Sequence, residues 1–481
     1  MTSVPSSFAD LILLHARVRP EKPAIVLADR VVTYDMMAQG ILRVEDRLRK
    51  LELAPGVLVG ISIESPIRHM IVAAALFRLG HPSLSVRRIA DVLPLALPVA
   101  TFLHAADETL HFGQRQTFVG DDWFAGERQP IAATRSAGFT DKRAICRVEL
   151  SSGSTGRPKA VSQSVEAFHQ RLINYYATIG LGLWDRLLCM PGLTSSWGFS
   201  LAAHVLFAGK TMAFAPTPRD CLHMIAVYAL DALAASTHQL RELVHEQVQT
   251  PIPCPTLRVV LTGGSPLSRM IMLDAGARLC SSIVNQYGST EAGATAFATT
   301  DRLAGIEGAT GYIVPWAEVE VVDENDNQLA PDAEGLLRIR ASCHGEPFPP
   351  GRADGHTGFR NGWFYPGDRG RIAADGLLIV SGRTSEIINA GGLKLAPEVI
   401  EEILLKHPII TEVAAFGAIG TSGVEDIYLA VVSRAPLSEQ HIIDWCAERN
   451  IPVARVFLVE TLPKTPSGKI HRDLLKRQLM H

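Results

Sequence analysis

The stretch "SSGSTGRPKA", Ser151 to Ala160, gathers hydroxyls, glycines, an arginine and a lysine into one short run. Ser152, Ser154 and Thr155 can donate to phosphate oxygens, and Gly153 and Gly156 let backbone N–H groups come close to an anion. Lys159 adds a point charge. Together they suit a polyphosphate clamp. A Walker P-loop needs G-x-x-x-x-G-K-[ST]. Here Gly153 and Gly156 stand too close together, the lysine follows Pro158, and that proline would disrupt a helix starting there. Taken alone, the loop reads equally well as a flexible linker.

Two more runs share a strand-then-polar-loop grammar. "LRVVLTGGSPL" reads as a strand ending in a turn at Gly263, Gly264 and Ser265. "SSIVNQYGSTEAG" reads as a strand carrying Asn285, Gln286, Tyr287 and Gly288 into a loop with Thr290 and Glu291. Ligands of α/β sheets gather in loops beyond strand carboxyl ends, so the two loops together make a stronger site than either one.

The elements that must position these residues follow from periodicity. Strand-length apolar runs alternate with longer helical stretches, the pattern of an α/β fold. "RHMIVAAALFRLG" suits a buried helix ended by Gly80. From Gly305 to Gly382 short β-rich runs are split by "DENDN" and "APDAEG", which predicts hairpins in a small β-rich subdomain. "APEVIEEILLKH" places Pro397 at a first helical position with acids in the first turn. Strand, strand, helix, strand and a closing helix follow, a compact α+β unit. The expected division is residues 1–384, with the β-rich part around 305–382, and residues 385–481.

With 481 residues the chain is too long for one ordinary core. A formal charge of −3 gives no basic field for nucleic acid or an anionic membrane. Seven cysteines, none in a C-x-x-C pair, argue against a disulfide framework or a zinc site. The N-terminus lacks a signal-peptide pattern, and "MIVAAALF" is cut short by Arg78 and His81 before it could span a membrane. The expectation is a cytoplasmic protein.

"LSSGSTGRPKAV", "NQYGSTEAG", "GWFYPGDRGRI", "SGRTSEIINAGGLKLAPEVIEE" and "PKTPSGKIHRDLL" occur here in one order. They resemble the signatures of the adenylate-forming superfamily, which comprises acyl- and aryl-CoA synthetases, peptide-synthetase adenylation domains and luciferases. The resemblance covers nearly the whole chain. It implies a large N-terminal domain of several subdomains with sheets and helices, and a small mobile α+β C-terminal lid. It also implies a two-step reaction with ATP and Mg²⁺: a carboxylate forms an acyl-adenylate, then a thiol takes the acyl group.

Joining a carboxylate to a triphosphate sets two anions against each other, and unit charges about 4 Å apart repel by several kcal/mol at the effective dielectric of a protein site. By resemblance, Lys469 of "TPSGKI" is the catalytic cation that stabilises this charge, arriving on the lid. Glu291 is implied to hold Mg²⁺ and Thr290 to contact phosphate. Asp368 of "YPGDRG" is implied to accept from the ribose hydroxyls, and Arg383 of "SGR" to lie on the ribose and phosphate side. Tyr287 is implied to lie against adenine, with a plain core tyrosine as the competing reading. "TGGSPL" is implied to border adenine and acyl group, Gly263 facing the acyl side.

Two departures from the family pattern stand out. The hinge position, commonly Asp or Lys, is Ser385. In "MPGLTSSWGFSL", Thr194 takes the substrate-side key position, with Ser196 and Trp197 beside it as pocket candidates. No Asp is present there to pair an α-ammonium group, which disfavours an amino-acid substrate. "NAGGLKLAPE" matches the lid segment of the thioester-forming pose, so Gly391, Gly392 and Lys394 are candidates for the pantetheine path. The reading is a carboxylic acid–CoA ligase. The alternatives are an acid–acyl-carrier-protein ligase using carrier-borne phosphopantetheine, and a non-catalytic acyl or nucleotide sensor of the same fold.

Overall fold

The computed structural model describes residues 7–105, 115–131, 138–152, 158–178, 184–267, 269–303, 305–306, 308–349, 358–383, 388–390, 393–395, 397–419, 425–449, 451–465 and 469–480. Gly153, Ser154, Thr155, Gly156, Ser385, Gly391 and Gly392 lie outside the described residues, as does the expected boundary at 384/385. So do the side chains of Ser152 and Lys394, whose backbones end the strand Ile145–Ser152 and sit in the strand Leu393–Leu395.

Apolar runs such as "ALAAS" form parallel strands buried on both faces, as parallel sheets require. Six strands lie side by side in parallel, in the order Pro23–Val26, Thr211–Ala213, Arg186–Cys189, Ala232–Ser236, Val259–Gly263 and Ile283–Ser289. Past Ile283–Ser289 the sheet turns antiparallel through Gly293–Thr299 and Ala309–Ile313 into the β-rich part of the chain. A second, seven-stranded sheet contains Leu58–Ser62, Ser83–Ser85, Ile145–Ser152 and Pro158–Ser164.

The largest core joins the two sheets through helices. Phe8, Ile12, Met37, Met70, Phe168 and Phe199 bury their side chains there. The helix Pro66–Leu79 is capped by Ser65 at one end and by Gly80 in the left-handed region, φ 77°, at the other.

The C-terminal part has its own core. The strands Ile410–Ile419 and Glu425–Ser433 pair antiparallel, and Val453–Leu458 adds in parallel. The helices Pro397–Leu404 and Glu439–Ala447 pack Ile400, Leu404, Ile442 and Cys446 on this sheet, while Leu475 of the closing helix Arg472–Leu479 joins Ala414, Phe416 and Ala430 in a separate cluster. A large mixed α/β N-terminal domain thus carries a small α+β C-terminal domain. No helix among the described residues is long and apolar enough to cross a membrane.

Candidate active site

A cavity of about 950 Å³ opens where the carboxyl ends of the parallel strands face the C-terminal domain. Gly192, Thr194, Ser196 and Trp197 line it beyond the strand Arg186–Cys189, Ser236 and Gln239 at and beyond the end of Ala232–Ser236, and Gly263, Gly264 and Ser265 at and beyond the end of Val259–Gly263. Gln286, Gly288, Thr290 and Arg383 also line the large-domain wall, together with Arg87, Arg88, Arg171 and Asn174 among others. From the C-terminal domain come Lys464, Thr465, Lys469 and the residues that start the closing helix.

Glycine is required at the strand end. A Cβ on Gly263 would stand 2.5 Å from the Gln286 carbonyl oxygen. Gly264 follows at φ +87°, which turns the chain away from the sheet.

Asn285, Tyr287, Glu291 and Asp368 stand behind the cavity wall rather than on it. The Tyr287 hydroxyl donates to Asp368 Oδ2 at 2.5 Å, and Arg383 Nε donates to Oδ1 at 3.2 Å. Burial and the Asp368 charge push the Tyr287 phenol well above the ordinary tyrosine range, so it stays a donor. Tyr287 packs against the cluster of Ala296, Leu337 and Leu378 and that of Ala292, Ile339 and Phe364. Asn285 Nδ2 donates to the Thr310 carbonyl at 2.9 Å. Arg383 thus reaches the cavity with its guanidinium steered by a buried carboxylate.

The acid-side candidates divide by what their hydroxyls already do. Ser195 caps the helix Ser196–Phe207, accepting from Gly198 N and donating to the Gly192 carbonyl at 2.7 Å. Ser196 Oγ donates to Glu149 Oε2 at 2.6 Å and accepts from Arg171 at 3.3 Å. Thr194 is exposed on the cavity wall, and the half-buried Trp197 lies next to it.

Glu149 belongs to a buried network that the sequence conceals. Its side chain is 2% exposed, with Arg147 at 3% and Arg171 at 4%, each 3.7 Å away. Gln163 donates to the same carboxylate oxygen as Ser196. Arg147 donates to Ser83 and Ser85 and lies 3.4 Å from the Phe199 ring centroid. Burial pulls its guanidinium down to about 10, and the Glu149 charge pulls it back up. "CRVEL" alternates charged and apolar residues, which reads from sequence as a strand with one wet face. Both faces are covered.

On the lid, the Thr465 N–H donates to the Lys469 carbonyl at 2.7 Å, and the Lys469 N–H donates to Thr465 Oγ1 at 3.2 Å. Arg472 then ties this turn to the lid core, with its guanidinium 2.7 Å from Glu401 and its Nε 3.1 Å from the Ala415 carbonyl. Across the domain boundary, Glu412 Oε1 accepts from Lys464 at 2.8 Å and from Arg241 of the large domain at 3.2 Å. Lys159 lies in the strand Pro158–Ser164, paired with Ser151, and is not on the described cavity wall.

Glu291 is 8% exposed, and its carboxylate makes no hydrogen bond or ion pair with any described residue. A hard oxygen donor without a partner among the described residues, beside the cavity, fits a Mg²⁺ ion. Among the described residues no group of three or more His, Cys, Asp or Glu side chains could hold a metal by itself, so substrate phosphates would complete the coordination.

Residues 14–344 match the AMP-binding enzyme family, and residues 399–469 match the AMP-binding enzyme C-terminal domain. The chain belongs to this family of adenylate-forming enzymes. Among its relatives, the 2-succinylbenzoate–CoA ligase of Bacillus subtilis is 23% identical over 97% of this chain and 97% of its own. The medium-chain fatty-acid–CoA ligase of Escherichia coli is 26% identical over 70% of this chain and 61% of its own. The same fold is seen in the Bacillus subtilis o-succinylbenzoate CoA synthetase bound to its acyl-adenylate, with TM-score 0.85 and 21% identity over 97% and 98% of the two chains. It recurs in the amide bond synthetase McbA of Marinactinospora thermotolerans, with TM-score 0.82 and 20% identity over 98% of this chain and 99% of that chain.

Proposed function

We propose that the chain is an ATP-dependent carboxylic acid–CoA ligase acting through an acyl-adenylate. A carboxylate oxygen attacks the α-phosphorus of ATP and pyrophosphate leaves. The CoA thiolate then attacks the acyl carbon, the thioester forms and AMP leaves. One observation carries the reading: Lys469, a dozen residues from the C-terminal residue, lines the same cavity as the loops at Gly263–Ser265 and Gln286–Thr290.

In this reading Lys469 stabilises the charge that builds as the carboxylate meets the α-phosphate. Gly264, Ser265, Gln286, Gly288 and Thr290 border the nucleotide. Tyr287 and Asn285 support that wall from behind, and the Asp368–Arg383 pair sets the ribose side. Ser152, Gly153, Ser154, Thr155, Gly156 and Lys159 form the triphosphate clamp. A Mg²⁺ ion held by Glu291 would screen the phosphate charge. Gly263, Thr194, Ser196 and Trp197 face the acid. Gly391, Gly392 and Lys394 border the pantetheine path once the lid has turned about Ser385. The relatives named for 2-succinylbenzoate and for medium-chain fatty acids support an acid–CoA ligase, and their different acids leave this chain's own acid to experiment.

The test is exchange of labelled pyrophosphate into ATP across a panel of aryl, dicarboxylic and aliphatic acids. Exchange that requires both an acid and Mg²⁺ is expected, and none with any acid overturns the reading in favour of a sensor. Free CoA is then offered against a phosphopantetheinylated carrier protein. Faster thioester formation on the carrier would make the protein a carrier-loading ligase instead.

A further inference from the structure

We propose that Arg171 is a positioning residue that locks the acid-side wall to the loop carrying Glu291, with Glu149 as its fixed counter-charge. The inference rests on the ligase reading for what the two sides hold, but its geometry stands apart from that reading.

Arg171 lies in the helix Val165–Thr178, between the two sheets. Its Nη2 donates to the Thr290 carbonyl at 2.7 Å and to the Glu291 carbonyl at 3.2 Å, and its Nε donates to the Cys343 carbonyl at 3.1 Å. Thr290 and Glu291 form the turn between the strands Ile283–Ser289 and Gly293–Thr299. Two successive carbonyls held by one guanidinium fix the peptide from which the Glu291 side chain departs. The Gly345 N–H holds the Glu291 carbonyl from another direction at 2.7 Å.

The other end of the guanidinium faces the acid side. Nη1 donates to Ser196 Oγ at 3.3 Å, and Ser196 in turn donates to Glu149 at 2.6 Å. Glu149 stands 3.7 Å from Arg171, and both side chains are almost wholly buried. Ser196 and Thr290 both line the cavity, on opposite sides of this link. The planar fork serves several fixed acceptors at once, and a lysine ammonium on a flexible stem cannot reproduce that geometry. A disturbance at either end is therefore felt at the other.

The experiment measures the Mg²⁺ concentration that half-saturates binding of a non-hydrolysable ATP analogue, by titration calorimetry on the whole chain. For Arg171→Lys we expect this midpoint to rise at least about fivefold, with a native circular dichroism spectrum. For Ser196→Ala, which alters only the acid side, a rise of about threefold is expected, together with a higher KM for the acid in pyrophosphate exchange. A folded Arg171→Lys chain with a midpoint within about twofold of the parent overturns the proposal. So does a Ser196→Ala chain that shifts the acid KM alone, and this second variant decides the matter if Arg171→Lys fails to fold. The ligase reading fails separately: the parent would bind the analogue with Mg²⁺ yet exchange pyrophosphate with no acid.

Discussion

On the large-domain side of the cavity, most site groups have a buried partner behind them. Asp368 holds Arg383 and Tyr287, and Arg171 holds the Thr290–Glu291 turn. On the lid side, Lys469 sits on a short turn near the end of the chain, and Arg472 ties that turn to Glu401 and Ala415 of the C-terminal domain. Between the two sides, the ion pair named above is Arg241 with Glu412, at side-chain exposures of 30% and 23%. One wall is preorganised and the other is carried. That division suits the proposed two-step reaction, in which the nucleotide stays in place while the lid cation serves the first step and then makes room for the second.

The comparison is tested most severely at Lys469. In Lys469→Ala, acyl-adenylate formation should fall by about 10²–10³-fold, the scale for one preorganised charge-stabilising donor. Thioester formation from supplied acyl-adenylate should fall far less. Equal losses in both half-reactions, measured separately by quenched flow, would remove the lid cation from the chemistry.

On the fixed wall, Asp368→Asn removes the charge that holds Arg383 and accepts from Tyr287. Hydrogen bonds to a charged group contribute about 1.5–3 kcal/mol, or about 10- to 150-fold. Both half-reactions should slow by roughly this factor, because the fixed wall serves both. A loss confined to adenylation would mean that Asp368 acts with the lid.

The two domains should also answer pH in opposite ways. Burial holds His69 and His204 neutral, each pulled down to about 4 from an ordinary 6.5. As pH falls below 6.5 the unfolded chain takes up protons that these folded histidines refuse, so the large domain loses up to about 1.4 kcal/mol per pH unit for each. Burial pushes Glu401 of the lid up to about 7 from 4.5, against the pull of Arg472. Its folded form keeps a proton that the unfolded chain gives up, so Glu401 favours the lid at the acid end and its contribution weakens as pH rises toward 7. It works against His407, which burial pulls below the ordinary 6.5 and whose contribution is lost on acidification. Hydrogen exchange at pH 5 and pH 7 should show protection falling on acidification in the helices Pro66–Leu79 and Ser196–Phe207, and rising in Pro397–Leu404. Parallel changes in both domains would contradict the assignment.

The smallest effect is expected at the domain boundary. Partly exposed pairs contribute about 0.2–1 kcal/mol. Arg241→Ala should therefore change the ratio of the two half-reaction rates by no more than about fivefold, at the expense of adenylation. A rise in adenylation would show that the contact does not favour the docked lid.

Much of this architecture was legible because local signals agreed. Gly264 after an apolar run marked a strand end, and the structure shows it at φ +87°. Pro397 with Glu398 marked a helix start, and the helix runs Pro397–Leu404. The buried charges were not legible. Arg147 and Glu149 occupy a strand whose alternation looks half-wet, and only the helices Val165–Thr178 and Ser196–Phe207 packed over it reveal the burial. Ser195 and Ser196 look alike in sequence, yet one caps a helix and the other serves Glu149. Such roles depend on residues distant along the chain, which periodicity does not report.

The shared oxygen of Glu412 bears on turnover. In the lid movement the proposed function requires, Lys464 would travel with Glu412 and continue to neutralise it. Arg241 stays behind beside His238, whose other ring nitrogen lies 3.2 Å from Glu242. Each half of the clasp would keep a hydrogen-bonding companion after separation, so neither polar group is left without a partner and the same contact could re-form at every cycle.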